Sequence, residues 1–137
     1  MKEAISSGVI LFNDNGNVRQ YLLLNYPTGH WDFIKGGMED GENPRQTSIR
    51  EAKEETGITD IEFIDGYEEK IEYFFRANNH DIHKKVIFFL ANTNSINVKL
   101  SHEHLNFIWL DYENALKKLT YDNAVNLLKK SEQFLQN

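Results

Sequence analysis

Along the N-terminal part of the chain, apolar positions come in short runs parted by polar stretches, a pattern of strands rather than helices. The runs at 8–12 and 21–24 flank Asn13-Asp14-Asn15-Gly16-Asn17, whose Asn-Gly step predicts a β-hairpin. Pro27-Thr28-Gly29 then breaks the chain, and 31–34 reads as a further short strand. Runs at 61–64, 71–75 and 86–91 also read as strands, with His80-Asp81 in the polar loop between the last two, and 106–110 is a late strand candidate.

Helical signals lie at 43–57 and after residue 111. Asn43 can cap the first helix, Pro44 suits its opening turn and Gly57 suits a left-handed stop. Its apolar members are few, Ile49 and Ala52 with Ile58 just beyond, which predicts one narrow packed stripe and leaves the rest to solvent or a ligand. Asp111 can cap a helix over 112–119 with Ala115, Leu116 and Leu119 inward, and Thr120 can cap a last one in which Val125, Leu128 and Leu135 lie near one face. Strands and helices interleave irregularly, so the expected fold is α/β (α+β): a mixed sheet sandwiched between helices, not a doubly wound parallel sheet.

With 137 residues, 40% of them hydrophobic and 26% charged, the chain suits one domain, 1–137, and can bury a core without staples. It has no cysteine, which excludes disulfides, thiolate zinc sites and a cysteine nucleophile. The 15 Lys and Arg against 21 Asp and Glu leave a net charge of −6, which argues against non-specific nucleic-acid coating. No run approaches the ~20 apolar residues that span a bilayer, and MKEAISSGVILF makes a poor signal peptide, so a cytoplasmic protein with no membrane partner is expected.

Candidate chemistry concentrates in Lys35-Gly36-Gly37-Met38-Glu39-Asp40-Gly41-Glu42, then Arg50-Glu51-Ala52-Lys53-Glu54-Glu55-Thr56-Gly57-Ile58. On a helix, Glu51 and Glu55 stand about 40° apart and Glu54 about 60° from Glu51, so three carboxylates share one face beside Arg50. Like charges so spaced repel by a few tenths of a kcal/mol per pair on an exposed helix, and a hard divalent cation reverses the sign of that repulsion. Mg²⁺ takes oxygen ligands and keeps waters or substrate phosphates in its shell. A preceding glycine-rich loop lets backbone groups approach the same ion or a phosphate. Together these parts suit metal-assisted attack of water on a phosphate chain. A charge-rich helix alone is commonly a solvated face; the spacing of the whole stretch sets this one apart.

The fixed positions are Gly36, Glu42, Arg50, Glu51, Glu54, Glu55 and Gly57, followed by an aliphatic residue. With each residue type near ~6% of usage, seven such positions coincide by chance on the order of once in 10⁸ starts. The stretch 36–58 resembles the Nudix box, the signature of the Nudix hydrolase superfamily, with every fixed position matched and Ala52 smaller than the bulky aliphatic often found there. The resemblance implies an α/β/α sandwich around a mixed sheet, and hydrolysis of a nucleoside diphosphate linked to another group with Mg²⁺ or Mn²⁺. It implies that Glu54 and Glu55 are the principal metal ligands, that Glu51 is a further ligand or base, and that the backbone carbonyl near Gly36 joins them. Arg50 then orients a glutamate, and Glu42 supports the loop–helix junction.

Trp31-Asp32-Phe33-Ile34-Lys35-Gly36-Gly37 resembles the same lead in the diadenosine tetraphosphate hydrolases of that superfamily, with Ile34 where Pro is usual and Gly37 where His is frequent. Ser101-His102-Glu103-His104, then Trp109-Leu110, Glu113 and Ala115, and Leu119-Thr120-Tyr121-Asp122-Asn123, resemble that family's C-terminal block. By this resemblance Glu103 is a metal ligand or general base, Lys35 lies near metal and phosphates, and Lys84 contacts phosphates. Bases need flat surfaces, and among the clustered strand aromatics Tyr73 and Phe88 are the expected stacking residues, most of the others packing inside by alternation.

The five histidines (His30, His80, His83, His102 and His104) have neither H-E-x-x-H spacing nor cysteine company, which argues against zinc and leaves His83 or His102 to touch phosphates. With no nucleophile elbow and no Walker-type loop, water should attack directly, without a covalent enzyme intermediate. The expected activity is asymmetrical hydrolysis of diadenosine tetraphosphate to ATP and AMP, with a small-molecule dinucleoside polyphosphate or nucleotide as partner, oligomeric state open and a monomer favoured. Two alternatives stay open: a (d)NTP or RNA 5′-end pyrophosphohydrolase, and a nucleotide-sensing domain without catalysis, which usually lacks box acids that are all present here.

Overall fold

In the computed structural model, which describes residues 1–136, the Asn-Gly turn joins two antiparallel strands, β1 (Lys2–Asn13) and β2 (Gln20–Asn25). Asn137, the last residue of the expected domain, lies outside the described residues. The chain continues through β3 (Trp31–Asp32), β4 (Ile34–Gly37), α1 (Pro44–Thr56), β5 (Ile61–Phe63), β6 (Glu69–Ala77), β7 (His80–Thr93), β8 (Asn106–Asp111), α2 (Tyr112–Lys118) and α3 (Asp122–Gln136). The sheet is mixed. Its central strands β1 and β7 run parallel from Lys2↔Ile82 to Phe12↔Asn92, whereas the flanking pairings are antiparallel. The order is β3-β2-β1-β7-β5, with β4 also on β1, β6 on β7 and β8 on β2.

Strand alternation divides the core in two. On one face Ile10, Phe12, Tyr21, Leu23, Phe33, Phe88 and Leu90 pack against Ala115 and Leu119 and against Ala124, Leu127 and Leu128 of α3. On the other, Val9, Leu11, Leu22, Leu24 and Ile34 pack against Ala52 and Ile58 beneath α1. The result is the expected α/β/α sandwich. Among the described residues no helix is long and apolar enough to cross a membrane.

Three local expectations change. Gly36 and Gly37 do not sit in a loop; they extend β4, opposite Ser7 and Ser6, because β1 offers a free antiparallel edge there. His80 and Asp81 open β7, and Asn78 and Asn79 make the turn by themselves, with φ of 51° and 64°. Asn is among the few side chains that tolerate that left-handed region, so two residues suffice. Thr120 does not cap α3; its hydroxyl accepts a hydrogen bond from the Trp31 amide at 2.8 Å.

Helix α1 has the predicted ends but a different underside. Asn43 accepts from the Gln46 amide at 2.8 Å while the Gln46 side chain accepts from the Asn43 amide at 2.9 Å, a reciprocal capping box, and Gly57 closes the helix at φ 75°. Ile49 is 42% exposed, and the buried side is Thr47, Ser48, Ala52, Glu55 and Thr56. Hydrogen bonds help to locate this helix on the sheet: Ser7 Oγ of β1 donates to the Pro44 carbonyl at 2.7 Å, while Thr56 Oγ donates within the helix to the Ala52 carbonyl at 2.6 Å. Replacing Asn43 by Ala should lower the unfolding free energy by about 1 kcal/mol, measured as a lower urea midpoint at constant m-value. Asn43→Asp, which keeps the cap acceptor, should restore most of that loss.

Candidate active site

Where β4 ends and α1 begins, one guanidinium gathers the acids. Arg50 Nε donates to Glu42 Oε2 at 2.7 Å, and Nη2 donates to Glu42 Oε1 at 3.1 Å and to the Gly37 carbonyl at 2.8 Å. Nη1 donates to Glu51 Oε1 at 2.9 Å and to Glu54 Oε2 at 3.1 Å. Glu42 also accepts from the Glu39 amide and from Thr47 Oγ, both at 2.9 Å. These bonds, that from Arg50 foremost, lower its pKa to about 2. Arg50 thereby ties the loop acid to two helix acids and to β4.

Alternation along β4 turns Gly36 toward α1, where a Cβ would overlap the Glu51 carboxyl group, so only glycine leaves room. Burial raises the pKa of Glu51 against the pull of Arg50. Glu55 lies deeper, with 5% of its side chain exposed. Burial first, then the neighbouring charges of Glu51 and Glu103, push its pKa up to about 9, while the backbone amide of Lys35 works the other way. Its Oε2 is buried without a hydrogen-bond partner. Glu103 is exposed on the loop before β8, close enough for its charge to act on both buried acids.

Among the described residues no three acids or imidazoles close into a finished metal shell. The donor set nonetheless fits a hard divalent cation. Glu51, Glu54 and Glu55 present carboxylates from one end of one helix, an orphaned oxygen waits in a dry position, and Gly36 keeps space beside Glu51.

Lys35, on the other side of β4, enters a cavity of about 640 Å³, a size ordinary for small-molecule sites. Tyr26, His30, Tyr73 and Tyr121 wall it, with Asn123 and Leu127 from α3. Tyr26 and His30 stack at 4.8 Å with their planes 5° apart. Asp32 fixes Lys35 Nζ at 3.1 Å. Lys84 stands opposite Tyr73 in the β6–β7 ladder, half-buried, and burial followed by repulsion from Lys35 lowers its pKa.

Two expected binding residues stand elsewhere. Phe88 is 1% exposed in the core, edge-on to Phe33 at 6.3 Å, and offers no face to a base. His83, one residue before Lys84, points to the opposite face of the sheet, between Glu3 at 2.9 Å and Glu72 at 3.1 Å and stacked on Phe74. Conversely, Tyr26, His30 and Tyr121 escape a reading of the sequence because they meet only through the β2–β3 turn and the α2–α3 link. The available signals are an aromatic residue bordering the Pro27-Thr28-Gly29 break and, for Tyr121, its place in the 119–123 stretch.

Two measurements bear on this geometry. Gly36→Ala should displace Glu51 and lower kcat by about 100-fold while far-UV circular dichroism stays unchanged. The folded chain keeps the Glu55 proton up to about pH 9, whereas the unfolded chain loses it near the ordinary 4.5, so this group's stabilisation is complete below about pH 4.5 and drains away as pH rises to 9. Without divalent cation, wild type should therefore lose on the order of 4 kcal/mol more than Glu55→Gln between about pH 5.5 and 8.5, read from urea midpoints.

The NUDIX domain model matches residues 2–130. The chain is 34% identical over 133 residues to the bis(5'-nucleosyl)-tetraphosphatase (asymmetrical) of Caenorhabditis elegans, covering 95% of each. It is 33% identical over 141 residues to the Mus musculus protein of the same name, covering 93% of this chain and 92% of the other. The crystal structure of a C. elegans Ap4A hydrolase binary complex superposes with a TM-score of 0.81 at 31% identity, covering 97% of this chain and 98% of that one. A sandwich with this strand order, an acid-bearing helix capped by Asn43 and Gly57, and a family match over nearly all of its length place the chain in the NUDIX domain family.

Proposed function

We propose that this Nudix hydrolase, acting as a single domain over 1–137, cleaves diadenosine tetraphosphate asymmetrically to ATP and AMP with Mg²⁺, which Mn²⁺ can replace. One observation carries the reading: β4 sends Lys35 into an aromatic cavity and Gly36 against the acid cluster, so base recognition and phosphate chemistry meet across a single strand. The full-length likeness to asymmetrical tetraphosphatases supports a dinucleoside substrate.

Glu51, Glu54 and Glu55 would hold the divalent cation, joined by Glu103 and the Gly36 carbonyl. When bound, that ion offsets charge on the phosphoryl oxygens and makes water easier to deprotonate. Arg50 keeps Glu51 and Glu54 aimed through its Nη1 bonds. Lys35, steadied by Asp32, neutralises the phosphate chain with Lys84 behind it. Tyr73, with Tyr26 and Tyr121, supplies flat surface for a base. The water oxygen bonds to the attacked phosphorus, the bridging P–O bond breaks, and the water proton passes to a carboxylate, Glu103 or a helix acid. Glu103 approaches from the loop, a side that the helix acids do not cover.

Chromatography of the products of diadenosine tetraphosphate, 8-oxo-dGTP and triphosphorylated RNA tests the assignment. ATP and AMP in equal amounts, at the highest kcat/KM of the three, is the expected result; a dominant release of monophosphate and pyrophosphate from the dNTP would overturn it. Glu54→Gln should cut turnover at least 100-fold, about 2.7 kcal/mol of barrier. Tyr73→Ala should raise KM about tenfold with kcat within a few-fold, as the loss of one stacked base predicts.

A further inference from the structure

The loop between β7 and β8 is tied to the end of α1 by two backbone bonds, Lys99 N to the Thr56 carbonyl at 2.9 Å and Ser101 N to the Glu55 carbonyl at 3.2 Å. It then turns on itself, His104 N donating to the Ser101 carbonyl at 3.2 Å, and this delivers the His104 ring to Glu55. His104 Nε2 lies 3.5 Å from Glu55 Oε1. Nε2 and Glu55 Oε2 are both buried and both lack a hydrogen-bond partner.

The partners of the two His104 nitrogens favour one tautomer of the ring. Ser101 Oγ accepts from the Glu103 amide at 3.3 Å, and its other neighbour is His104 Nδ1 at 3.1 Å. Among the described residues the hydroxyl's one proton has no acceptor but Nδ1, and the opposite tautomer would strand that proton and set a bare Nε2 against a carboxylate oxygen. An accepting Nδ1 leaves the neutral ring with its hydrogen on Nε2, pointing at Glu55. Tyr26 packs edge-on against the ring at 4.6 Å with planes 72° apart, and its own hydroxyl is anchored to the Phe33 carbonyl at 2.6 Å, so the imidazole has no room to turn.

We propose that His104 is a positioning residue for Glu55: a relay from the Glu103 amide through Ser101 Oγ to His104 Nδ1 fixes the Nε2–H tautomer, which holds Glu55 Oε1 and leaves Oε2 as the oxygen free for a cation. The present 3.5 Å is longer than a formed hydrogen bond and closes with a side-chain shift of a few tenths of an ångström. This rests on the reading of Glu55 as a cation ligand. Outer partners that orient a ligand in this way are typically worth 10–100-fold in metal affinity.

The test is Mn²⁺ titration, by electron paramagnetic resonance, of wild type, His104→Ala, His104→Asn and His104→Gln, with circular dichroism confirming the fold of each. It is joined by ¹⁵N NMR of the imidazoles in wild type and Ser101→Ala. The Gln amide can reach the place of Nε2 and the Asn amide only that of Nδ1. Affinity should therefore fall 10–100-fold in the Ala and Asn variants and recover to within a few-fold in the Gln variant. NMR should show the Nε2–H tautomer for His104 in wild type and a mixture in Ser101→Ala. Equal affinity in wild type and His104→Ala, equal loss in the Asn and Gln variants, or an Nδ1–H tautomer in wild type would each overturn the relay. A wild-type chain that binds no Mn²⁺ overturns the metal reading instead, and the NMR arm then decides the relay by itself.

Discussion

Four acidic side chains crowd the junction of β4 and α1, and a single guanidinium holds three of them together. Arg50 reaches Glu42, Glu51, Glu54 and the Gly37 carbonyl at once, all within 3.1 Å. A lysine could not do this, because its ammonium lacks the planar fork that addresses several acceptors in fixed directions. Glu55 lies beyond that reach, and burial raises its pKa to about 9, so that without a cation it stays protonated. The metal-free site thus holds three acids on one guanidinium and keeps the fourth protonated, and a divalent cation would favour that fourth group as an anion.

Strand β4 turns that electrostatic arrangement into a site. It is four residues long and pairs only with β1, yet its alternation gives each face a task. Ile34 anchors one face in the core under α1, and Gly36 makes space beside Glu51. Lys35 leaves by the opposite face into the aromatic cavity, where Asp32 on the adjoining β3 holds its amine. A polyphosphate lying across this strand would meet cations on one side and carboxylates on the other.

Much of this was legible in the sequence wherever one local segment sets the geometry. The Asn-Gly turn, the Asn43 cap, the Gly57 stop and the spacing of the acids on α1 all follow from neighbours a few residues apart. Features that depend on partners distant in sequence were not legible. Gly36 and Gly37 resemble a loop until β1 is known to pair with them. His83 resembles a site residue because the phase of β7 is fixed only by its registers with β1 and β6, and one step of phase moves a side chain to the other face. Phe88 shares the face of Lys84 but lies four residues further along β7, inside the core. The cavity's Tyr26, His30 and Tyr121 come from separate connections, and His104 reaches Glu55 only after its loop docks on α1.

The hydrophilic underside of α1 sets a limit on engineering this scaffold. Aliphatic surfaces slide past one another at little energetic expense, whereas a hydroxyl bonded to a particular carbonyl admits one alignment. Ser7 pinned to the Pro44 carbonyl and Arg50 bonded to the Gly37 carbonyl fix how far the acidic helix lies along the sheet. Greasing that contact with valines and leucines would harden the scaffold against heat and would also release the helix to drift, trading alignment of its reactive groups for melting temperature.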